Sequence, residues 1–67
     1  MAVAKVTEII AGSSKGFEDA ITVGVKRASK TLKNVRSAWV DGSEVLVEKG
    51  KITEWRVRLK VTFVIED

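Results

Sequence analysis

From Ile52 to Ile65 the chain alternates almost without error. Trp55, Val57, Leu59, Val61, Phe63 and Ile65 are apolar, and Glu54, Arg56, Arg58, Lys60 and Thr62 stand between them. Side chains on a strand point to opposite faces in turn, so this pattern predicts one long strand with an oily face and a charged face. The oily face must be covered by something, and the chain has few residues to do it with.

Sixty-seven residues make one domain at most, and 1–67 is read as a single unit. A chain of this length buries a modest fraction of its surface and usually needs a staple. There is no Cys, so no disulfide forms. There is no His, which removes the commonest zinc ligand and the commonest general base. The staple that remains is association with further copies of the chain. Hydrophobic residues make up 45% of the sequence, enough for a core and a buried subunit interface, so a homo-oligomer is expected.

The net charge is +3, from 12 basic and 9 acidic residues. That balance is too mixed to point to nucleic acid by itself. No apolar run approaches the roughly 18 residues of a membrane span. Lys5 and Glu8 interrupt the apolar residues near the N-terminus, where a secretory signal would need an unbroken run. The expected setting is cytoplasmic.

Val3 to Ile10 reads as a first strand, rich in β-branched residues. Ala11-Gly12-Ser13-Ser14 reads as its stop, with Ser13 or Ser14 as a helix cap. A helix is predicted from about Lys15 to Leu32 or Lys33. Phe17, Ala20, Ile21, Gly24, Ala28 and Leu32 recur at helical spacing. Glu18 and Asp19 sit near its start, and Lys26, Arg27, Lys30 and Lys33 crowd its end, as the helix dipole prefers. Gly24 falls on the apolar stripe, a place for a strand to approach closely.

Asn34 is a helix stop, and Val35 to Val40 begins a second strand. Asp41-Gly42-Ser43 signals a turn or bulge within or after it, and Val45 to Val47 resumes extended structure. Glu48-Lys49-Gly50-Lys51 is a short hairpin loop, with Gly50 suited to positive φ. The fold class is therefore α+β in the order β-α-β-β. Its simplest form is a three-stranded antiparallel sheet packed on one helix. One helix covers one face only, which leaves the face bearing Arg56 and Arg58 for oligomerisation.

With no His, Cys or Tyr, catalysis would rest on carboxylates, Lys or Ser, and an enzyme is not expected. Ala11 to Gly16 is too loose a match for a phosphate-binding loop and reads as a helix cap with a turn glycine. Trp55 is in register with the oily face and reads as core or interface. Trp39 is open between core, subunit contact and platform for a planar ligand. The row Arg56, Arg58, Lys60 suits a phosphate or carboxylate, or else a solvated face paired with Glu44, Glu48 or Glu54. No EF-hand spacing is present, so no calcium site from one chain is expected.

The β-α-β-β order in so short a chain carries a resemblance. Lys5-Val6 lies in the first strand, Ser13 and Gly16 at the helix start, and Ala28 through Thr31-Leu32 at its end. Glu54-Trp55-Arg56-Val57 through Val61-Thr62-Phe63 forms the last strand. Together these residues resemble the dodecins over essentially the whole chain. The resemblance implies a hollow homododecamer that stores flavin, FMN or riboflavin, between subunits and is not an enzyme. Some dodecins also bind coenzyme A, and some are flavin-free and calcium-associated. It implies a small-ligand site at Ser37, Trp39, Arg56 and Arg58. The family's flavin-stacking Trp falls at Ser37, with Trp39 two residues on, about 7 Å along the strand. A flavin-bonding Gln of the family falls at Arg56, and an Arg of bacterial members at Val64. The alternative is a flavin-free scaffold of the same fold that binds cations or other metabolites at symmetry axes.

Overall fold

The computed structural model describes residues 3–65. They form β1 (Val3–Ser13), α1 (Phe17–Thr31), β2 (Val35–Glu48) and β3 (Lys51–Ile65). The three strands make one antiparallel sheet in the order β1-β3-β2, so the alternating strand is the central one. The helix packs across one face.

The oily side of β3 is the core. Val57, Leu59 and Val61 are fully buried beneath Ala20 and Ala28 of the helix. Ile9, Ala11, Ile21, Val25, Leu32, Val35 and Ala38 close around them. The helix presents only Ala and Gly to the sheet at its closest points, so its backbone lies low. A Cβ on Gly24 would stand 2.8 Å from Leu59 Cδ1 and 2.9 Å from Ala11 Cβ, closer than packed carbons approach.

Three boundaries differ from the sequence expectation. β1 does not stop at Ala11 but runs through Gly12 to Ser13, each residue paired with β3 as far as Ser13↔Trp55. The helix starts at Phe17, with Gly16 as the residue before it and no side-chain cap. Ser13 instead closes the turn: its Oγ accepts from the Lys15 N–H at 2.9 Å and donates to Asp19 at 2.5 Å. The second strand is continuous across Asp41-Gly42, which form a bulge and not a turn. The β2–β3 hairpin turns on Lys49 and Gly50, both at positive φ (50° and 77°).

The helix does not cover the whole oily face. Fifteen helical residues span about 22 Å, whereas the molecule is 51 Å long, the length of β3. Beyond the helix, Val45, Val47 and Ile52 remain exposed on the hairpin arm. The chain exposes 5150 Å² in all, against about 4200 Å² for a compact monomer of its mass. The radius of gyration of 13.7 Å likewise exceeds the roughly 11 Å of a compact domain of this length. No helix among the described residues is long and apolar enough to cross a membrane.

Candidate functional site

The face away from the helix carries the polar side of β3, and both neighbours contribute to it by register. Directly paired residues of antiparallel strands share a face. Row by row, Ser37–Thr62–Val6 is followed by Trp39–Lys60–Glu8, then Gly42–Arg58–Ile10, then Glu44–Arg56–Gly12. All four site residues expected from the sequence, Ser37, Trp39, Arg56 and Arg58, therefore lie on this one open face.

Two bulges in β2 put them there. The register shifts between Val35 and Ser37, and again between Val40 and Gly42. With simple alternation from Val35, which pairs on the helix side with Phe63, Ser37 and Trp39 would also point towards the helix. The extra residue Arg36 reverses the parity, so Ala38 joins the core and Trp39 turns outward. Trp39 is 61% exposed, which removes the core reading and leaves a broad indole free for a ligand or a second subunit. Ser37 is also exposed. Trp55 is half-buried on the helix side, opposite Val45 and Ser13.

The second bulge sets the electrostatics. Its extra residue, Asp41, holds Arg58 Nε at 3.2 Å and Lys60 Nζ at 3.7 Å from one carboxylate oxygen. Arg58 also donates to the Asp41 carbonyl at 3.5 Å. Arg56 is held at 3.0 Å through both Nε and a terminal nitrogen by Glu54, two residues before it on the same strand. Of the carboxylates expected to pair with the row, Glu54 does so and Asp41 takes the place of Glu44 and Glu48.

Glycines on both flanks make room for these pairs. A side chain at Gly12 would collide with the Glu54 carboxylate, and a Cβ at Gly42 would meet Arg58 at 3.0 Å. Between them lies a shallow hollow of about 220 Å³, lined by Ile10, Gly42, Ser43, Glu44, Arg56 and Arg58. At the other end of the face the Thr62 Oγ1 is buried without a hydrogen-bond partner, in the row of Ser37. Sequence reasoning missed Asp41, Gly12 and Thr62. The Asp-Gly pair inside a strand pattern was the available signal for Asp41, since a bulge residue leaves the alternation.

The face thus combines an exposed indole, the exposed Ser37 hydroxyl and a pinned row of cations. Among the described residues no three acidic, His or Cys side chains converge as a metal site would require.

The family model described as Dodecin matches residues 3–66. Among solved structures, a dodecin from Streptomyces davaonensis superposes with a TM-score of 0.94 at 33% identity, covering 98% of this chain and 97% of that one. An arginine-to-alanine mutant of the Thermus thermophilus dodecin also gives 0.94, at 30% identity and with all of both chains covered. The calcium dodecin of Mycobacterium tuberculosis, a calcium-chelating antigen with a novel calcium-binding site, gives 0.83 at 34% identity, covering 96% and 91%. A comparison with curated proteins finds no significant match.

Proposed function

The chain belongs to the dodecin family, and from that premise we propose that it is a subunit of a closed homo-oligomer, a dodecamer, that stores a flavin between subunits. Trp39 carries this reading. An indole 61% exposed on a sheet face is costly to leave in water, and it offers the flat surface that an isoalloxazine ring stacks on. Trp39 supplies the platform, Ser37 the room beside it, and Arg56 and Arg58 the donors along the rim. FMN, riboflavin and related planar cofactors fit these residues.

The closed assembly is supported by apolar surface left open on both faces of the sheet. Val3, Val6, Ile10, Val40, Val45, Val47 and Ile52 are exposed together with Trp39. A monomer rarely leaves so much apolar area uncovered, and symmetric copies bury it. Light scattering is expected to give a mass about twelve times that of the subunit, and a stable folded monomer would overturn the assembly.

Flavin binding is tested by titrating riboflavin and FMN and following the quenching of flavin emission. Saturable quenching that is lost in Trp39→Ala is the expected result. No quenching up to high micromolar protein would overturn the storage reading. A calcium-binding relative of 34% identity supports a second reading, a flavin-free scaffold that holds cations. Single chains lack a converging acidic site among the described residues, so such a site would be shared between copies.

A further inference from the structure

We infer that the outer side of α1 is a docking surface for the phosphate backbone of duplex nucleic acid, without regard to base sequence. This surface lies across the sheet from the proposed ligand face and stands apart from the storage reading.

The charge is segregated along the chain. Between Asp19 and Asp41 there is no carboxylate, and five cations fall in that stretch: Lys26, Arg27, Lys30, Lys33 and Arg36. The other seven of the twelve basic residues are outnumbered by the nine acidic ones. The balance over the whole chain is mixed, but its distribution is not. Cations clustered along one side of a helix are the electrostatic footprint of a phosphate-binding surface.

Helix geometry gathers three of these charges. Ala20, Gly24 and Ala28 turn to the sheet and are buried. Lys26, Arg27 and Lys30 are exposed, and spacings of four and three residues make Lys30 the neighbour of both others. Lys33 follows, exposed, just past the helix end. The nearest carboxylate along the helix is Asp19, seven residues or about 10 Å before Lys26, and it is engaged by the Ser13 hydroxyl. The ion pairs among the described residues all lie on the open sheet face, and none involves this ridge.

The helix dipole does not account for the ridge. It favours cations in the last turn, where Lys30 lies, and fades before that turn. Lys26 and Arg27 stand earlier. Lys26 and Lys30 are like charges four residues apart, an arrangement that weakens a helix. An anion laid along the ridge removes that repulsion.

The neighbouring side chains select the kind of anion. A helix that lies on a lipid surface turns its apolar face to the bilayer, and the apolar face of α1 is already packed on the core. Val23 is the exposed large apolar residue beside these cations. From Thr22 to Arg36 there is no aromatic residue on which an unpaired base would stack. What remains is a row of ammonium groups and a guanidinium, which match phosphates and read no bases. In a closed oligomer the ridge repeats once per subunit, so one long duplex engages several ridges.

The test is fluorescence anisotropy of a labelled, mixed-sequence DNA duplex titrated with the assembled protein at about 50 and about 200 mM salt. Neutralising three to four phosphates per ridge predicts a loss of affinity of roughly 40- to 150-fold across that range, and more where two ridges engage. Lys26→Gln combined with Lys30→Gln leaves helix propensity nearly unchanged. It is expected to lower the slope of log affinity against log salt by at least about two. Lys5→Gln combined with Lys51→Gln removes the same charge from exposed strand positions and is expected to leave the slope as it was. The inference is overturned by absence of binding at the lower salt, by an unchanged slope in the ridge variant, or by an equal fall in both variants. Tighter binding to single strands or to phosphatidylserine vesicles than to duplex overturns it too. Each of these outcomes leaves the flavin titration, and with it the storage reading, untouched.

Discussion

Gly24 lies against Leu59 so closely that a Cβ added there would stand 2.8 Å from the leucine's Cδ1, with Ala11 Cβ at 2.9 Å on the other side. Leu59 is fully buried and Ala11 has no torsion to relieve the contact. Overpacking of this kind costs about 1–3 kcal/mol, while replacing a mid-helix glycine by alanine returns at most about 1 kcal/mol. Gly24→Ala is therefore expected to destabilise by up to about 2 kcal/mol in urea denaturation. A stabilised variant would show that the helix can lift off the sheet at no cost.

Leu59→Ala probes the same contact from the sheet. The side chain is fully buried in a core of few residues, so a loss of about 2–5 kcal/mol is expected. In so small a domain that is expected to appear as loss of assembly in size-exclusion chromatography.

Ser37→Trp places an aromatic where the dodecin pattern has its stacking Trp, one row from Trp39 on the open face. A further stacked pair contributes on the order of 0.5–1.5 kcal/mol, so flavin affinity is expected to rise roughly two- to tenfold in the same titration. Weaker binding would mean that the ring lies elsewhere and needs the space at Ser37.

Thr62→Val tests the orphan hydroxyl. A buried group without a partner carries its full desolvation penalty, and an apolar group of the same shape removes it. The ligand-free protein is expected to gain up to about 1 kcal/mol in chemical denaturation. A loss of stability instead would mean that the hydroxyl is satisfied in the folded protein.

Asp41→Ala releases Arg58 and Lys60. These pairs are one-third to one-half exposed, so their loss is expected to cost less than about 1 kcal/mol. The cost is expected to shrink further at about 1 M salt, where exposed charges are screened within a few ångströms. A larger loss would assign Asp41 a structural role in the bulge itself.

The element order and the central strand were legible because β3 obeys one local rule from end to end. Val57, Leu59 and Val61 follow from alternation alone. The end of β1 was not legible, because Gly12 is tolerated inside the strand for a non-local reason: Glu54 lies over it from the neighbouring strand. Trp39 was undecidable for a related reason. Its face depends on how many residues bulge before it, and Arg36 bulges with no Gly or Pro to announce it. The pairing of Arg58 was equally hidden, since Asp41 reaches it only by leaving the alternation.

The two bulges of β2 also govern how this chain tolerates changes in length. Removing a bulge residue, Arg36 or Asp41, would close the ladder into simple alternation and leave every paired side chain on its face, whereas a residue inserted after Ala38 would turn Trp39 under the helix. Strand length in β2 is thus constrained in one direction: a bulge can be lost without changing faces, but a residue gained within a paired stretch cannot be absorbed.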